Sequence, residues 1–399
     1  MDIVIIGGGA SGLSAALTAA DRGHSVTLLE RQSRVGRKLL ATGNGRCNLS
    51  NTQLSADRYH GKDPEFAAFA LKKYGCKETI VFFRKLGLIT AVEGERIYPF
   101  SDHAGSVVDV LRLTADGLGV NTITGADVTE ARHKDGFFHI SYSRQTICAQ
   151  RLIVCCGGLA GKKLGGTQSG YELLESFGHS RTKLYPALVQ IVTDTAFVRS
   201  LKGVRAQAEI KLKKYGSIIM RGGGEVQFTN FGVSGPAIFD ISRAVSVSPG
   251  GLTISLDLLP GTERHELEEI IVARQKSLPN ITAENLLTGT LHNRLGRTVI
   301  RYAGLNLNTP ISELDTSMGI RVAAAVKNFE LDVMGTLDFD SAQVSAGGIL
   351  TADFRPETME SRIVPGLYAA GEVLDIDGDC GGYNLQWAWS SGRLAGELL

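Results

Sequence analysis

The chain has no run approaching the roughly 18 consecutive apolar residues that a membrane-spanning helix needs, so no membrane association is expected. It also lacks an excess of either charge, with 42 Lys and Arg against 41 Asp and Glu. No field that gathers nucleic acid or an anionic membrane is therefore expected, which leaves a small molecule as the partner. Cysteine is sparse and unpatterned. Cys47, Cys76, Cys148, Cys155, Cys156 and Cys380 show no C-x-x-C or C-x-x-x-x-C spacing and read as reduced cytosolic thiols. The eight histidines show no H-x-x-x-H spacing, so no metal site is expected. No charged segment with an apolar stretch behind it precedes the first strand, which points to a cytoplasmic protein. A net charge near zero leaves the oligomeric state open.

What the chain has in excess is glycine, 48 of 399 residues, against a usual share of about 7%. The glycines cluster rather than repeat, as tight turns and close backbone approach to a ligand require. The length allows two or three domains. A strand at 2–6, a helix at about 10–22 and a strand at 25–30 open the chain as a βαβ unit. Leu13, Ala16, Leu17 and Ala20 recur at the spacing of a buried helical stripe. Helices are expected near 64–74, 77–86 and 104–115, an antiparallel meander over about 119–149, and a buried strand at 151–156. Strand-like alternation follows at 204–229 and a helical pattern at 262–330. Near 343 the glycine-rich texture returns. The implied organisation is a discontinuous first domain, 1–188 plus 343–399. Residues 189–342 form an inserted cap or substrate domain, with a sheet part (about 189–260) and a helical part (about 261–330).

Gly7-Gly8-Gly9-Ala10-Ser11-Gly12 satisfies G-x-G-x-x-G between a strand and a helix. Gly7 permits the tight turn, Gly9 lets the backbone approach a pyrophosphate, and Gly12 lets helix and strand pack closely. The pyrophosphate is expected on the helix's free N–H groups, at Ala10 and Ser11, where the dipole is positive. Glu30 ends the second strand at the separation where a carboxylate accepts both hydroxyls of an adenosine ribose. This favours FAD or NAD over NADP, because the acid would repel a 2′-phosphate even with Arg31 beside it. No second fingerprint follows, since Gly157-Gly158 and Gly222-Gly223-Gly224 lack the pattern. One dinucleotide site with a long insert suits a flavoprotein.

Residues 36–51 (GRKLLATGNGRCNLSN) carry three glycines, three basic residues and several amides, the groups that a diphosphate and a flavin edge need. By composition alone the same stretch is equally a polar surface loop. At the other end, Leu367-Tyr368-Ala369-Ala370 reads as a strand whose carboxyl end carries Gly371 and Glu372, where ligands of parallel sheets bind. Gly381 and Gly382 then open a last helix, about 384–398. Its N–H groups, near Tyr383, Asn384 and Leu385, are expected to face the flavin edge where negative charge develops on reduction.

The 36–51 block resembles the signature of the BaiN/YhiN-like bacterial flavoproteins, and the resemblance runs along nearly the whole chain. It recurs at residues 228–236 (FTNFGVSGP), 344–349 (VSAGGI), 366–375 (GLYAAGEVLD) and 381–386 (GGYNLQ). Asn230 stands where many relatives carry His. Members are variously described as NAD(P)/FAD-dependent oxidoreductases, aminoacetone-oxidase-like enzymes and bile-acid Δ-reductases.

The resemblance implies an α/β fold. A Rossmann-like FAD-binding domain of the glutathione-reductase type carries an inserted β-plus-helical domain covering the flavin. It implies non-covalent FAD, hydride transfer through flavin N5, and NAD(P)H as a transient co-substrate. The cofactor contacts implied in the block are Arg37, Lys38, Thr42, Gly43, Asn44, Gly45, Arg46, Cys47 and Asn48. Val128 and Gly157 follow by similarity, with Cys155-Cys156-Gly157-Gly158 as a turn closing on the cofactor. Arg46, Asn48, Tyr383 and Asn384 are the candidates nearest the ring, and no catalytic acid or base is assigned. Two alternatives stand beside an FAD-dependent oxidoreductase acting on an unidentified small molecule: an amine-type oxidase using O₂, and a flavin-binding sensor without turnover.

Overall fold

A computed structural model describes residues 1–399. Ile3, Val4, Ile5 and Ile6 follow one another without a polar residue, and all four are buried. Only a strand covered on both faces uses such a run, and Asp2–Ile6 (β1) lies inside a five-stranded parallel sheet. The helix Ala10–Asp21 (α1) and the strand Ser25–Glu30 (β2) complete the βαβ unit. The sheet order is Leu367–Ala369, Arg151–Val154, β1, β2, Asn121–Thr124. The C-terminal strand Leu367–Ala369 is thereby placed one strand away from β1, across Arg151–Val154.

The expected meander over 119–149 needs correction. Asn121–Thr124 joins the parallel sheet beside β2, and only Val128–Lys134, Phe137–Tyr142 and Gln145–Ala149 form an antiparallel sheet. As an edge strand it is half-exposed, which is why it lacks the apolar run of its neighbours. The C-terminal helix, Tyr383–Gly396, lies along α1 at small residues. A methyl group at Gly392 would sit 2.3 Å from the Ser11 carbonyl oxygen, and one at Gly396 would sit 2.5 Å from that of Ala15.

The chain divides into two units, Met1–Ala187 with Phe339–Leu399, and Leu188–Asp338. The second unit is a closed six-stranded antiparallel barrel. Its order is Ile191–Thr193, Gly232–Ser234, Ser217–Phe228, Arg205–Lys214, Leu252–Asp257, Phe329–Thr336. Ala208, Ile210 and Leu212 alternate into its core with Val226, Phe228, Ile254 and Leu256. Sheet and helices do not follow one another here as the expected 189–260 and 261–330 parts would have it. Helix Pro236–Val247 interrupts the strands, and Phe329–Thr336 returns after the other helices. Closing the barrel removes two open edges, so the last strand must come back to Leu252–Asp257 and Ile191–Thr193. No helix of the protein is long and apolar enough to cross a membrane.

The chain leaves and re-enters the first unit at one place. Tyr185–Ala187 pairs antiparallel with Val344–Ala346, and the Gly161 N–H donates to the Phe339 carbonyl at 2.7 Å. Replacing 188–338 by a short Gly/Ser linker is therefore expected to leave a folded first unit that binds FAD, though more weakly than the whole chain. A single thermal transition and a flavin titration check this. A folded product with no flavin binding at all would overturn it.

Candidate functional site

The loop between β1 and α1 is built as a cradle. Gly7 N–H donates to the Leu29 carbonyl (2.8 Å) and Gly36 N–H to that of Gly8 (2.8 Å). Glu30 does more than end β2: its Oε2 accepts from Gly8 N–H and its Oε1 from Gln32 N–H, both at 2.7 Å. The carboxylate thus ties the glycine loop to the residues after β2 and keeps further lone pairs for another donor. A methyl group at Gly9 would meet nothing within 4 Å, whereas one at Gly12 would lie 1.8 Å from the Gly7 carbonyl oxygen. The first glycine borders open space and the second is packing. Glu372, at the end of Leu367–Ala369, pairs with Lys38 (Oε2 to Nζ 2.7 Å) and accepts the Ser345 N–H at 2.8 Å. Gly371 packs on α1, where a methyl group would touch Ser11 Oγ at 2.6 Å.

The 36–51 block runs from this cradle to the start of the C-terminal helix. Gly43, Asn44 and Gly45 all take left-handed backbone (φ 56°, 57° and 86°), which glycine and asparagine tolerate, and Cys47 follows at φ 61°. Thr42 Oγ1 donates to the Leu39 carbonyl at 2.7 Å. Asn48 is 8% exposed, and its Oδ1 has no hydrogen-bond partner. That oxygen is 2.8 Å from where a methyl group at Gly382 would stand. Gly382, which has no side chain of its own to cap with, is the N-cap of the C-terminal helix. The open cradle at Gly9 and the orphaned acceptor of Asn48 fit the polar groups of a flavin dinucleotide.

Several expected contacts are turned elsewhere. Arg46 bonds Glu93 (2.5 Å) and Asp102 and lies 4.1 Å over the Tyr98 ring. Both acids accept from the Arg46 guanidinium, and these hydrogen bonds, Glu93's first and Asp102's second, raise its pKa above the ordinary guanidinium value. Tyr383, 4% exposed, packs edge-to-face on Tyr59 and takes no place as a free ring-facing hydroxyl. Asn384 grips one backbone residue from both sides, donating to the Gly378 carbonyl (2.7 Å) and accepting its N–H (2.9 Å). Leu385 packs against the core. Arg31 reaches the Gly165 carbonyl (3.2 Å) and Arg37 the Gln32 side chain (2.5 Å), both on the surface. Val128 is buried at the start of its strand, and Gly157 is left-handed (φ 70°) with open space over it. The thiols of Cys47 and Cys155 are pushed up to about 12 by burial, which keeps them protonated packers.

Three residues with structural roles at the site lie inside the quoted blocks but have no role assigned to them from the sequence. Ser345 Oγ accepts the Ala160 N–H (2.9 Å) beneath Glu372. Asn51 Nδ2 donates to the Gly381 carbonyl (3.0 Å). Gln386 is fully buried and donates to the Tyr74 carbonyl (2.7 Å), Thr79 Oγ1 (2.9 Å) and Ser390 Oγ (2.8 Å). One signal for Gln386 was present in the sequence: a glutamine and a serine four residues apart on the apolar last helix share a face.

The model of the HI0933-like protein Rossmann domain matches residues 1–398. The 3-dehydro-bile acid delta(4,6)-reductase of Clostridium scindens is 40% identical over 99% of this chain and 98% of its own length. The ribosomal RNA dihydrouridine synthase of Haemophilus influenzae is 32% identical over 97% of this chain and 96% of its own. Among solved structures, a 3-ketosteroid-delta4-(5alpha)-dehydrogenase from Rhodococcus jostii is 15% identical at a TM-score of 0.48, covering 100% of this chain and 95% of that one. With its fingerprint, its discontinuous first unit and a family match along the whole length, the chain belongs to the HI0933-like Rossmann family of FAD-dependent oxidoreductases.

Proposed function

We propose that this protein is an FAD-dependent reductase that saturates a carbon–carbon double bond conjugated to a carbonyl group in a small molecule. The observation that carries the flavin reading is the cradle itself: Glu30 anchoring Gly8, with open space over Gly9 at the start of α1. The substrate class is supported by two full-length relatives. A delta(4,6)-reductase of a 3-dehydro steroid and a dihydrouridine synthase both name the saturation of a double bond next to a carbonyl.

The residues fall into natural roles. The N–H groups opening α1 would hold the diphosphate, and Glu30 the adenosine ribose. Lys38, its charge balanced by Glu372, would lie along the cofactor chain, and the C-terminal helix terminus with Asn48 would meet the ring edge. When bound, FAD supplies hydride transfer through N5 of its ring, and the chain supplies orientation, electrostatics and exclusion of water. NAD(P)H is the proposed electron donor. The chain's formal charge of +1 provides no field for an RNA backbone, which favours a small enone over a uridine in RNA.

The purified protein is expected to be yellow and to release FAD, not FMN, on heating. FMN, or flavin retained by the precipitate, would sink the reading. Anaerobic reduction by NADH and NADPH, then mixing with 3-oxo-Δ4 steroids, uridine-containing RNA and primary amines, tests the substrate. Reoxidation by the enone supports the proposal. Reduction by amines alone would make the protein an oxidase, and reduction by nothing would make it a sensor.

A further inference from the structure

We propose that the barrel hairpin formed by Arg205–Lys214 and Ser217–Phe228 docks the protein on an anionic phospholipid surface. Tyr215, Ile218 and Ile219 enter among the headgroups, while Lys211, Lys214 and Arg221 meet the lipid phosphates. The inference stands apart from the flavin reading. The balance of 42 basic against 41 acidic residues is an average over the chain, and residues 205–221 depart from it with five basic residues and one acid, Glu209. Lys211 lies directly across from Arg221 on the outer face, because Ile210 and Leu212 on either side of it point into the barrel core. Like charges placed so repel each other. Neither forms an ion pair, whereas Lys213 is held by Glu330 at 2.6 Å. Lys214 meets only the carbonyl and hydroxyl of Ser248, so its charge is also unbalanced.

The tip of the same hairpin shows apolar side chains to water. Its register slips beside Leu212: Leu212 pairs with Met220 but Lys213 with Ile218, which leaves Ile219 as an extra residue. Such a bulge breaks the alternation of a strand, and Ile218 and Ile219 are both open, at 43% and 49% exposed. The turn is Tyr215-Gly216, with both residues left-handed (φ 48° and 84°). Asparagine and glycine suit that backbone, and a tyrosine there is strained. Tyr215 is nonetheless 81% exposed, with its N–H bonded to the Gly251 carbonyl (2.8 Å). Its ring lies over Gly251, where a methyl group would stand 2.3 Å from a ring carbon, so glycine supports the displayed ring. Lys211 stands four residues behind Tyr215, about 13 Å along the strand, so the apolar tip leads and the cations follow. This order matches the apolar boundary and the phosphate layer of a bilayer. A nucleic acid would engage the cations and the ring but leave both isoleucines in water, which is why the surface is assigned to lipid.

Co-sedimentation of the whole chain with vesicles tests this. One set of vesicles is phosphatidylcholine, the other phosphatidylcholine mixed with phosphatidylglycerol, and polyuridylate serves as a competing arm. The wild-type protein should bind the anionic vesicles more tightly than the neutral ones by about tenfold or more, and should lose that margin in high salt. Lys211→Gln/Arg221→Gln should bind the anionic vesicles about thirtyfold more weakly, at about fivefold per charge. It should melt no lower than wild type, because a like-charged pair is gone. Ile218→Thr/Ile219→Thr keeps the β-branched shape and should weaken binding to the anionic vesicles about tenfold while keeping its salt dependence. No binding to anionic vesicles, equal binding to both sets, or binding that neither variant changes overturns the proposal. Polyuridylate that displaces the vesicles from wild type and binds the isoleucine variant equally well overturns it in favour of a nucleic-acid surface.

Discussion

Glu30→Ala is expected to weaken FAD binding by about one to two orders of magnitude and to lower the melting temperature of the apoprotein. The two effects have separate causes. In the ligand-free protein the carboxylate accepts from Gly8 N–H and Gln32 N–H at 2.7 Å each, so its removal leaves the glycine loop without its tie to β2. Hydrogen bonds to charged groups are worth about 1.5–3 kcal/mol each, and water reaching the half-buried site would replace part of that. Bonds to the ribose hydroxyls are lost only when FAD is present, and about 1.4 kcal/mol of binding energy corresponds to a factor of ten. Glu30→Gln keeps one acceptor and turns an amino group toward a backbone N–H, so it should fall between the two. Flavin-fluorescence titration of apoprotein decides the matter: a dissociation constant within twofold of wild type in Glu30→Ala means that the carboxylate serves the loop alone.

The contrast between Glu30 and Arg46 shows which parts of the site could be read from the sequence. β1, the glycine turn, α1 and β2 are contiguous, and their roles follow from local spacing and backbone chemistry. The same holds for Gly371, Glu372 and Gly382 at the end of a strand and the start of a helix. Arg46 follows another rule. Its partners are Glu93 and Asp102, some fifty residues on, and an exposed acid on a distant hairpin leaves no trace in the spacing around an arginine. Tyr383 and Asn384 follow the same rule: a helix start fixes where N–H groups point, but which neighbouring side chains pack inward depends on Tyr59 and Gly378. At the level of the fold, Asn121–Thr124 and Phe329–Thr336 are edge or closing strands. Their pairing is set by which edge needs a partner, not by their own hydrophobic pattern.

Gly9→Ala and Gly12→Ala are expected to fail in opposite ways, although they lie three residues apart in one motif. At Gly12 the new methyl group would lie 1.8 Å from the Gly7 carbonyl oxygen, far inside contact distance. Gly7 is held in place, because its N–H is bonded to the Leu29 carbonyl at 2.8 Å and the Cys155 carbonyl oxygen stands only 2.3 Å from where a methyl group at Gly7 would be. Helix α1 must therefore move off the sheet, at about 3 kcal/mol or more, the upper end of overpacking costs. The apoprotein should melt several degrees lower or fail to fold. At Gly9 the backbone (φ −84°, ψ −164°) suits any residue, and a methyl group meets nothing within 4 Å. The free protein should be as stable as wild type, or more stable by up to about 1 kcal/mol through a less flexible unfolded chain. Yet the methyl group would stand where a pyrophosphate must approach, so FAD affinity should fall at least a hundredfold, or about 2.7 kcal/mol. Thermal melts of the two apoproteins, followed by FAD titration of Gly9→Ala, separate packing from binding. A Gly9→Ala protein that binds FAD as wild type does would show that the diphosphate lies elsewhere.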